Sequence, residues 1–252
     1  MLDRITPLIL TRDEEANIGR TLTQLAWARE VVIVDSLSTD GTVAIARQFA
    51  NARVVPRAFD SHAGQWSFGV AQVTTPWVLT LDADYFVPEA FVQELAALDP
   101  PPDIAGYEAT FRYAIEGQPL RAALYPARAV LLRRGAFEFW QDGHTQRVRV
   151  QGRVERLRVP LIHDDRKDLR RFIHRQRNYM RKEAAKLRAT PWAALPTLGR
   201  IRKLRVVAPA VTLFYVLFAK RAILDGRAGL RYAIERFLAE AVLSIELFRS
   251  SH

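Results

Sequence analysis

The first hundred residues alternate between short apolar runs and amphipathic helical patterns. Apolar runs at residues 5–11, 30–35, 53–56 and 76–81 predict strands, and 3.6-residue spacing predicts helices over 13–26, 39–50, 62–73 and 88–98. Runs that are apolar throughout, such as EVVIVD, are typical of parallel strands buried on both faces. The pattern therefore predicts an α/β fold with a mostly parallel sheet covered by helices on both faces.

The pattern changes after the three prolines at 100–102. Strand-like pieces at 105–113, 129–133, 147–151 and 157–162 predict additions to the sheet. From residue 168 the chain is helical, with an uncharged apolar segment at 206–219 and a predicted amphipathic helix at 229–248. Its predicted apolar face carries Leu230, Ile234, Phe237, Leu238, Ala241, Ile245 and Phe248. We therefore predict a domain at 1–165, made of halves 1–100 and 101–165, and a helical extension at 166–252.

Charge is concentrated in one part of the chain. The sequence has 37 Lys and Arg against 27 Asp and Glu, a net charge of +10. Residues 163–205 alone hold fourteen Lys and Arg and four Asp and Glu, which is also +10. This basic segment indicates an anionic partner (nucleic acid, a phospholipid surface or an anionic substrate), or else a solvated helix face. The absence of cysteine excludes disulfides, thiolate metal sites and a thiol nucleophile.

Two carboxylates follow the fourth predicted strand. Asp82 and Asp84, which are separated by Ala83, lie at the carboxyl edge of the predicted sheet, where open α/β folds bind ligands. If the backbone is extended there, both side chains point to one side. Such a pair predicts an incomplete oxygen site for Mg²⁺ or Mn²⁺ that leaves positions for substrate phosphates. The alternative is a solvated turn.

Polar residues follow the first two strands at the same edge. Asp35 ends the second strand, where its carboxylate can accept from the N–H of a nucleobase or cap the next helix. Thr11, Arg12 and Glu15 end the first strand and can line a nucleotide pocket, or serve as helix-capping and surface residues. No glycine-rich phosphate loop is present.

These residues carry a family resemblance over residues 5–95. The segments TPLILTRDEEANIGRTL, VVIVDSLSTDGT and WVLTLDADYFVPEAF resemble, in order and spacing, the signature segments of family 2 glycosyltransferases with the GT-A fold. The resemblance implies an inverting transfer from a nucleotide sugar, with a UDP-sugar favoured. It also implies that Asp35 contacts the base and that Asp82 and Asp84 serve the metal and the diphosphate.

The second half resembles the non-processive branch of lipopolysaccharide-core glucosyltransferases, which acts on lipopolysaccharide core or related bacterial glycolipids. The similar pieces are DGHTQRVRVQGRVERL, HDDRK at 163–167, the helix with Gln176 and the segment at 224–230. Inverting transfer needs a general base for the acceptor hydroxyl, and we expect it from this half. The candidates are Asp142, favoured, and then His144; relatives tend to have an acidic residue where Thr145 follows here. Asp142-Gly143 can also be a simple turn.

Further candidates surround the HDDRK segment. By likeness to GT-A enzymes, His163 is predicted to complete the metal shell or touch the diphosphate, with a structural histidine as the equal alternative. Arg166 and Lys167 are predicted diphosphate contacts, because basic side chains bind phosphate oxygens. Asp164 or Asp165 is expected to cap the following helix. Gln176 interrupts an apolar helix face, so it is either a satisfied polar group of the core or a residue that lines the groove of the donor site, which we favour.

The apolar segment at 206–219 is shorter than the ~20 residues of a spanning helix, so it predicts an interfacial hairpin with basic flanks. We expect Leu213, Phe214, Tyr215, Leu217 and Phe218 to enter the membrane. The predicted location is peripheral, at the cytoplasmic face of the bacterial inner membrane, with a glycolipid or lipopolysaccharide-type acceptor and no nucleic acid. The alternatives are an internally packed helix pair, a protein that binds nucleic acid or another anionic surface, and a catalytically inactive relative.

Overall fold

The computed structural model describes residues 1–121, 124–142, 145–166 and 169–249. The chain forms two compact units. One comprises Met1–Tyr113 with Leu124–Arg166, and the other comprises Ala114–Ala123 with Lys167–His252. The short segment 114–123 thus belongs with the C-terminal helices, whereas the sequence predicted a single division at residue 165. The two units are described separately below.

The N-terminal unit alternates strands and helices through its first hundred residues. The strands up to residue 166 are β1 (Ile5–Thr11), β2 (Val31–Asp35), β3 (Ala52–Pro56), β4 (Trp77–Asp82), β5 (Tyr85–Phe86), β6 (Ile104–Ala109), β7 (Phe111–Ile115), β8 (Gln118–Pro119), β9 (Arg128–Arg133), β10 (Phe137–Asp142), β11 (Thr145–Val150), β12 (Arg153–Arg156) and β13 (Leu161–His163). The helices are α1 (Ile18–Thr23), α2 (Thr42–Ala46), α3 (His62–Ala71) and α4 (Glu89–Ala97).

The main sheet has seven strands in the order β12-β6-β9-β4-β1-β2-β3. Strands β4, β1, β2 and β3 run parallel, while β9 runs antiparallel to both β4 and β6. All five residues of β2 are buried, as expected for a strand covered on both faces. The register pairs Thr11 with Asp35 and Leu10 with Asp82, so the carboxyl ends of three strands meet at one edge.

Some predicted elements differ in extent or partner. The helix predicted over 13–26 covers only Ile18–Thr23, because Asp13 has a positive φ of 54° and the residues before the helix form a bonded loop. The strand predicted at 105–113 is divided into β6 and β7. Not every later strand extends the main sheet: β10 and β11 pair as a separate hairpin, and β13 joins β5, β7 and β8.

Helix α3 packs closely on the sheet at a glycine. A Cβ at Gly69 would lie 2.7 Å from Cδ1 of Leu8 and 3.1 Å from Cγ2 of Val34. Leu8 and Val34 are fully buried on β1 and β2. The close approach of helix backbone to the sheet therefore requires a residue without a side chain at this position.

The C-terminal unit is helical beyond residue 168. Its elements are α5 (Leu169–Ala189), a 3₁₀ turn (Trp192–Ala194), α6 (Thr197–Lys203), α7 (Val207–Phe214), a π-helical turn (Tyr215–Ala219), a second 3₁₀ turn (Ala222–Asp225) and α8 (Gly226–Arg249). Ala184 and Leu187 of α5 pack with Leu243 and Leu247 of α8 in the core of this unit. Within the described residues no single helix is long and apolar enough to cross a bilayer. One pair of helical segments, Val207–Ala219 and Ala222–Arg249, reaches the required length and apolar composition when taken together, but the pair is bent by 68°.

Helix α8 exposes much of its predicted apolar face. Of the predicted apolar face, Leu230, Ile234, Ile245 and Phe248 are exposed, and the remaining three residues are partly exposed. The buried side instead includes Glu235, Glu240 and Glu246 together with small and aliphatic residues. Arginines of α5, α6 and α8 itself pair with these glutamates, and the sequence pattern did not predict that the glutamates are buried.

Candidate active site

The carboxylate of Asp35 is fixed at the carboxyl edge of the sheet. Thr11 donates from Oγ1 to Oδ1 of Asp35 at 2.9 Å. Ser38 donates from its amide to Oδ2 at 2.9 Å and from its hydroxyl to Oδ1 at 2.5 Å. Asp35 is only 2% exposed, so these donors compensate for the solvation that burial removes. A carboxylate oxygen can accept more than one hydrogen bond, and Oδ2 accepts one from the donors named here, so the group retains acceptor capacity for a ligand.

The loops after β1 and β2 are bonded to one another. The amide of Asp13 donates to Ser38 Oγ at 2.9 Å, and the amide of Thr39 donates to Asp13 Oδ1 at 2.8 Å. Glu15, predicted to line the nucleotide pocket, accepts from the amide of Gly41 at 3.0 Å and so fixes this loop. Arg12 is exposed. The edge thus presents a preformed surface between the two strand ends.

Asp82 and Asp84 flank the turn between β4 and β5. Strand β4 ends at Asp82, so the extended backbone that the sequence argument assumed is replaced by a turn. Asp84 is buried, and its Oδ2 lies 3.0 Å from Nε2 of His163. Burial raises the pKa of Asp82, and the nearby charge of Asp84 raises it further. The turn therefore concentrates negative charge in a poorly solvated place.

His163 joins Asp84 inside an aromatic cluster. Its ring centroid lies 4.7 Å from that of Tyr113, 5.3 Å from that of Tyr125 and 5.5 Å from that of Tyr85. Burial lowers the pKa of His163, but the carboxylates of Asp84 and Asp82 outweigh this, and the net pKa is raised. In the described part of the chain, no three His, Cys, Asp or Glu side chains are arranged to hold a metal ion alone. The site is therefore a carboxylate–imidazole pair with a second carboxylate nearby.

Arg128 is a site residue that sequence reasoning missed. It begins β9, and Thr80 Oγ1 donates to the carbonyl of Val130 at 3.1 Å where β4 meets this strand. The guanidinium carbon of Arg128 lies 4.5 Å from the ring centroid of Tyr125. Its positive charge acts on Asp82. The antiparallel pairing of β9 with β4 brings this cation to the site, and nothing in the linear pattern indicates that pairing.

Helix α1 binds the turn between the two carboxylates. Thr21 Oγ1 lies 2.6 Å from the carbonyl oxygen of Ala83 and 2.9 Å from that of Tyr85, and donates to both. The amide of Asp164 donates to the carbonyl oxygen of Asp84 at 3.0 Å. The sequence patterns did not single out Thr21, because a threonine in a short helix has no distinctive spacing.

Asp164 forms a buried ionic cluster rather than the expected helix cap. Its carboxylate is 2% exposed and binds the guanidinium of Arg20, which also donates to the Asp164 carbonyl at 2.6 Å. Arg166 donates from Nε to the same carboxylate at 3.0 Å and from its amide to Asn17 Oδ1 at 3.2 Å. Asp165 Oδ1 accepts from Asn17 Nδ2 at 3.3 Å. The HDDRK segment is thereby fixed to α1.

Several predicted residues lie outside the described part of the site. His144 and Lys167 are outside the described residues, as is the side chain of Asp142, whose backbone ends β10 opposite Thr145. Gln176 is on α5 in the other unit and is partly exposed. The assignments of the general base, of Lys167 and of Gln176 therefore stay predictions.

Comparisons with known proteins agree with this architecture. The family model of glycosyl transferase family 2 matches residues 8–136. An uncharacterized glycosyltransferase of Rickettsia felis is 38% identical over 84 residues, which cover 33% of this chain and 29% of that protein. The lipopolysaccharide core biosynthesis glycosyltransferase LpsC of Rhizobium meliloti is 34% identical over 98 residues, covering 37% and 36%. The chain thus matches about a third of the length of these curated relatives.

Two solved structures share the fold over nearly the whole chain. Mannosyltransferase PcManGT from Pyrobaculum calidifontis, in complex with GDP-Man and Mn²⁺, has a TM-score of 0.54 at 17% identity and covers 99% of this chain and 88% of its own. Staphylococcus aureus TarS 1–349, in complex with UDP-GlcNAc, has a TM-score of 0.52 at 14% identity, covering 99% and 92%. These likenesses confirm the predicted GT-A fold, and with more than half of the sequence matched by the family model, the chain belongs to glycosyl transferase family 2.

Proposed function

We propose that this protein moves a sugar, with inversion at the anomeric carbon, from a nucleoside diphosphate donor to a lipid-linked or lipopolysaccharide-type acceptor. One observation carries the proposal. The sheet register brings Thr11, Asp35 and Asp82 to a single edge, where the Asp84–His163 pair lies one turn beyond. A nucleotide whose base binds at Thr11 and Asp35 extends its diphosphate toward Asp84 and His163.

The donor pocket follows from the charges at this edge. Asp35 keeps acceptor capacity for an N–H of the base, beside Thr11 and Arg12. Arg128 supplies a cation next to Asp82, and Arg166 supplies another in the segment after His163. Lys167, like Arg166, is a diphosphate contact predicted from the sequence. Uridine is the base that the family resemblance favours, and the identity of the sugar is left to experiment.

The carboxylate turn fits a divalent cation, Mg²⁺ or Mn²⁺. Burial and the nearby charge of Asp84 oppose the ionised form of Asp82, and a bound cation would reverse both effects. Carboxylate oxygens are the ligands these ions prefer, with donor phosphates filling the remaining positions. We assign Asp82, Asp84 and His163 to this cation, which when bound stabilises the charge of the departing diphosphate.

The protein side chains then have separable tasks. Arg128 and Arg166 stabilise negative charge as the nucleoside diphosphate leaves, because fixed cations in a poorly solvated site act strongly on developing charge. Asp142 accepts the proton of the acceptor hydroxyl on the opposite face of the sugar, with His144 as the second candidate. Asp35 and Thr11 orient the base.

The acceptor and location extend the proposal. LpsC is named for lipopolysaccharide core biosynthesis, and this supports a glycolipid acceptor here. We accordingly place the protein peripherally at the cytoplasmic face of the bacterial inner membrane. There a glycolipid acceptor meets a soluble nucleotide sugar.

Calorimetric titration with UDP, GDP, CMP and ADP, with and without Mn²⁺, tests the donor site. We expect one nucleoside diphosphate to bind in a Mn²⁺-dependent manner and Asp82→Asn to abolish that dependence. The matched control is Asp103→Asn, an exposed carboxylate paired with Arg153, which should bind like the wild type. If none of the nucleotides binds in the presence of Mn²⁺, the transferase proposal is wrong. The basic segment would then direct attention to another anionic ligand.

A further inference from the structure

Helix α8 of the C-terminal unit buries its three glutamates and exposes four large apolar residues. Glu240 is buried and accepts from Arg202 Nε at 3.0 Å, while Glu235 accepts from Arg231 at 3.3 Å. Glu246 is likewise buried, and its backbone carbonyl accepts from Arg188 at 3.2 Å. The outward positions are taken by the apolar stripe of α8, which we define as Leu230, Ile234, Ile245 and Phe248.

A second exposed apolar stripe runs along α7 and the π-helical turn. Val207, Val211, Phe214, Tyr215 and Phe218 recur at helical spacing and are 41–60% exposed, and we call them the apolar stripe of α7. The rings of Phe214 and Phe218 stack at 6.0 Å. Leu213 and Leu217, which the sequence placed in the same membrane-facing set, are partly buried. Contiguous exposed apolar residues of this size mark an interaction surface.

The unit that carries these stripes is strongly positive. The C-terminal unit has twenty Lys and Arg against seven Asp and Glu, hence +13, which exceeds the +10 of the whole chain. Three of those acids are buried on α8 and paired with arginines, so these ion pairs leave the net charge of the unit unchanged. Lys220 and Arg221 lie between the π-helical turn, which ends at Ala219, and the second 3₁₀ turn, which begins at Ala222. Lys220 Nζ lies 5.7 Å from the ring centroid of Tyr215.

We infer that the two apolar stripes, with Lys220 and Arg221, form a docking surface for an anionic phospholipid bilayer. Aromatic and aliphatic side chains bounded by cations fit the boundary between acyl chains and acidic headgroups. Weak apolar insertion and electrostatic attraction together give an attachment that neither gives alone. The inference deepens the peripheral location proposed above and rests on it.

Flotation of the full chain with vesicles tests this surface. We expect the protein to float with phosphatidylcholine–phosphatidylglycerol vesicles at low salt, and to float poorly with pure phosphatidylcholine or at high salt. The double variant Phe214→Ser with Phe218→Ser should bind at least about tenfold more weakly, because two apolar side chains no longer leave water. Lys220→Gln with Arg221→Gln should weaken binding to the anionic vesicles only.

The control is Leu198→Ser, an equally exposed leucine on α6 of the same unit and outside both stripes, which should float like the wild type. Should the phenylalanine variant not fold, Phe218→Trp with brominated lipids replaces it: added fluorescence quenching supports insertion, and none contradicts it. Absence of flotation at low salt overturns the inference. The inference is also overturned if light scattering shows a dimer of the wild type that the phenylalanine variant does not form, and the wild type does not bind vesicles. Nucleotide binding is measured separately, so failure here leaves the donor site intact.

Discussion

Thr21 is a buried hydroxyl that donates to the carbonyl oxygens of Ala83 and Tyr85, on both sides of Asp84. Thr21→Val keeps the shape of the side chain and leaves both carbonyls without this donor. We expect a loss of about 1–3 kcal/mol in the free energy of unfolding, measured by urea denaturation. Mn²⁺-dependent nucleotide affinity should fall as well, because the carboxylate turn is less well fixed.

The control for Thr21 lies two residues away on the same helix. Thr23 is exposed and its hydroxyl donates to the carbonyl of Gly19 at 2.9 Å, within the helix. Thr23→Val should change stability by no more than about 0.5 kcal/mol and leave nucleotide binding unaltered. Equal effects of the two substitutions would contradict a specific role for Thr21.

Arg128 tests the electrostatics of the same place. Removing its charge with Arg128→Gln should raise the Kd for the nucleoside diphosphate about tenfold or more, while affinity for the nucleoside alone stays constant, since only the phosphates lose a partner. Titration of both ligands measures the difference. Arg134→Gln, an exposed arginine just beyond the same strand, serves as the control. A matching loss of nucleoside affinity would show that Arg128 acts through folding.

Elements differ in how far their sequences determine their place. The end of β4 was predicted because its apolar run stops at Asp82, and the parallel order of the first strands followed from the alternating pattern. The position of Arg128 was not predictable, because it depends on the antiparallel pairing of β9 with β4. The burial of the α8 glutamates was not predictable either, because it depends on arginines that other helices bring to them.

The packing of α3 on the sheet gives a prediction at this scale. Gly69→Ala introduces a Cβ 2.7 Å from a Leu8 methyl group, so helix and sheet must separate. We expect thermal unfolding to reveal a loss of about 1–3 kcal/mol. Gly19→Ala on α1 is the comparison, since its Cβ would lie 3.2 Å from Ile45 Cγ2 and alanine favours a helix. A larger loss at Gly19 than at Gly69 would contradict the packing argument.

Across the whole molecule, charge is divided between the N-terminal unit, whose net charge is negative, and a strongly basic helical unit. Sequence counting located the basic residues correctly, because composition needs no knowledge of contacts. It could not show that three glutamates of α8 are buried and paired with arginines. The candidate base in the β10–β11 hairpin rests on resemblance alone.

The Arg202–Glu240 pair tests the internal acids of that unit. Glu240→Leu leaves the partly buried Arg202 with Glu183 as its other carboxylate, at 3.4 Å. We expect a loss of about 2–4 kcal/mol in the free energy of unfolding, followed by circular dichroism in urea. Combining it with Arg202→Met should restore part of the loss, because the guanidinium that lost its main partner is removed as well, while Glu183 gives up its contact with Arg202. If the double variant is as unstable as the sum of both single variants, the pair is not coupled.

The inward glutamates of α8 also fix its rotation. Glu240 binds an arginine of α6, and Glu246 lies 3.8 Å from Arg181 of α5, so partners on two different helices define a single angular register. Turning the helix to hide its apolar stripe would separate these pairs and expose charges that are now neutralised. The apolar stripe of α8 is therefore displayed permanently, and the proposed attachment to a bilayer requires no unmasking step beforehand.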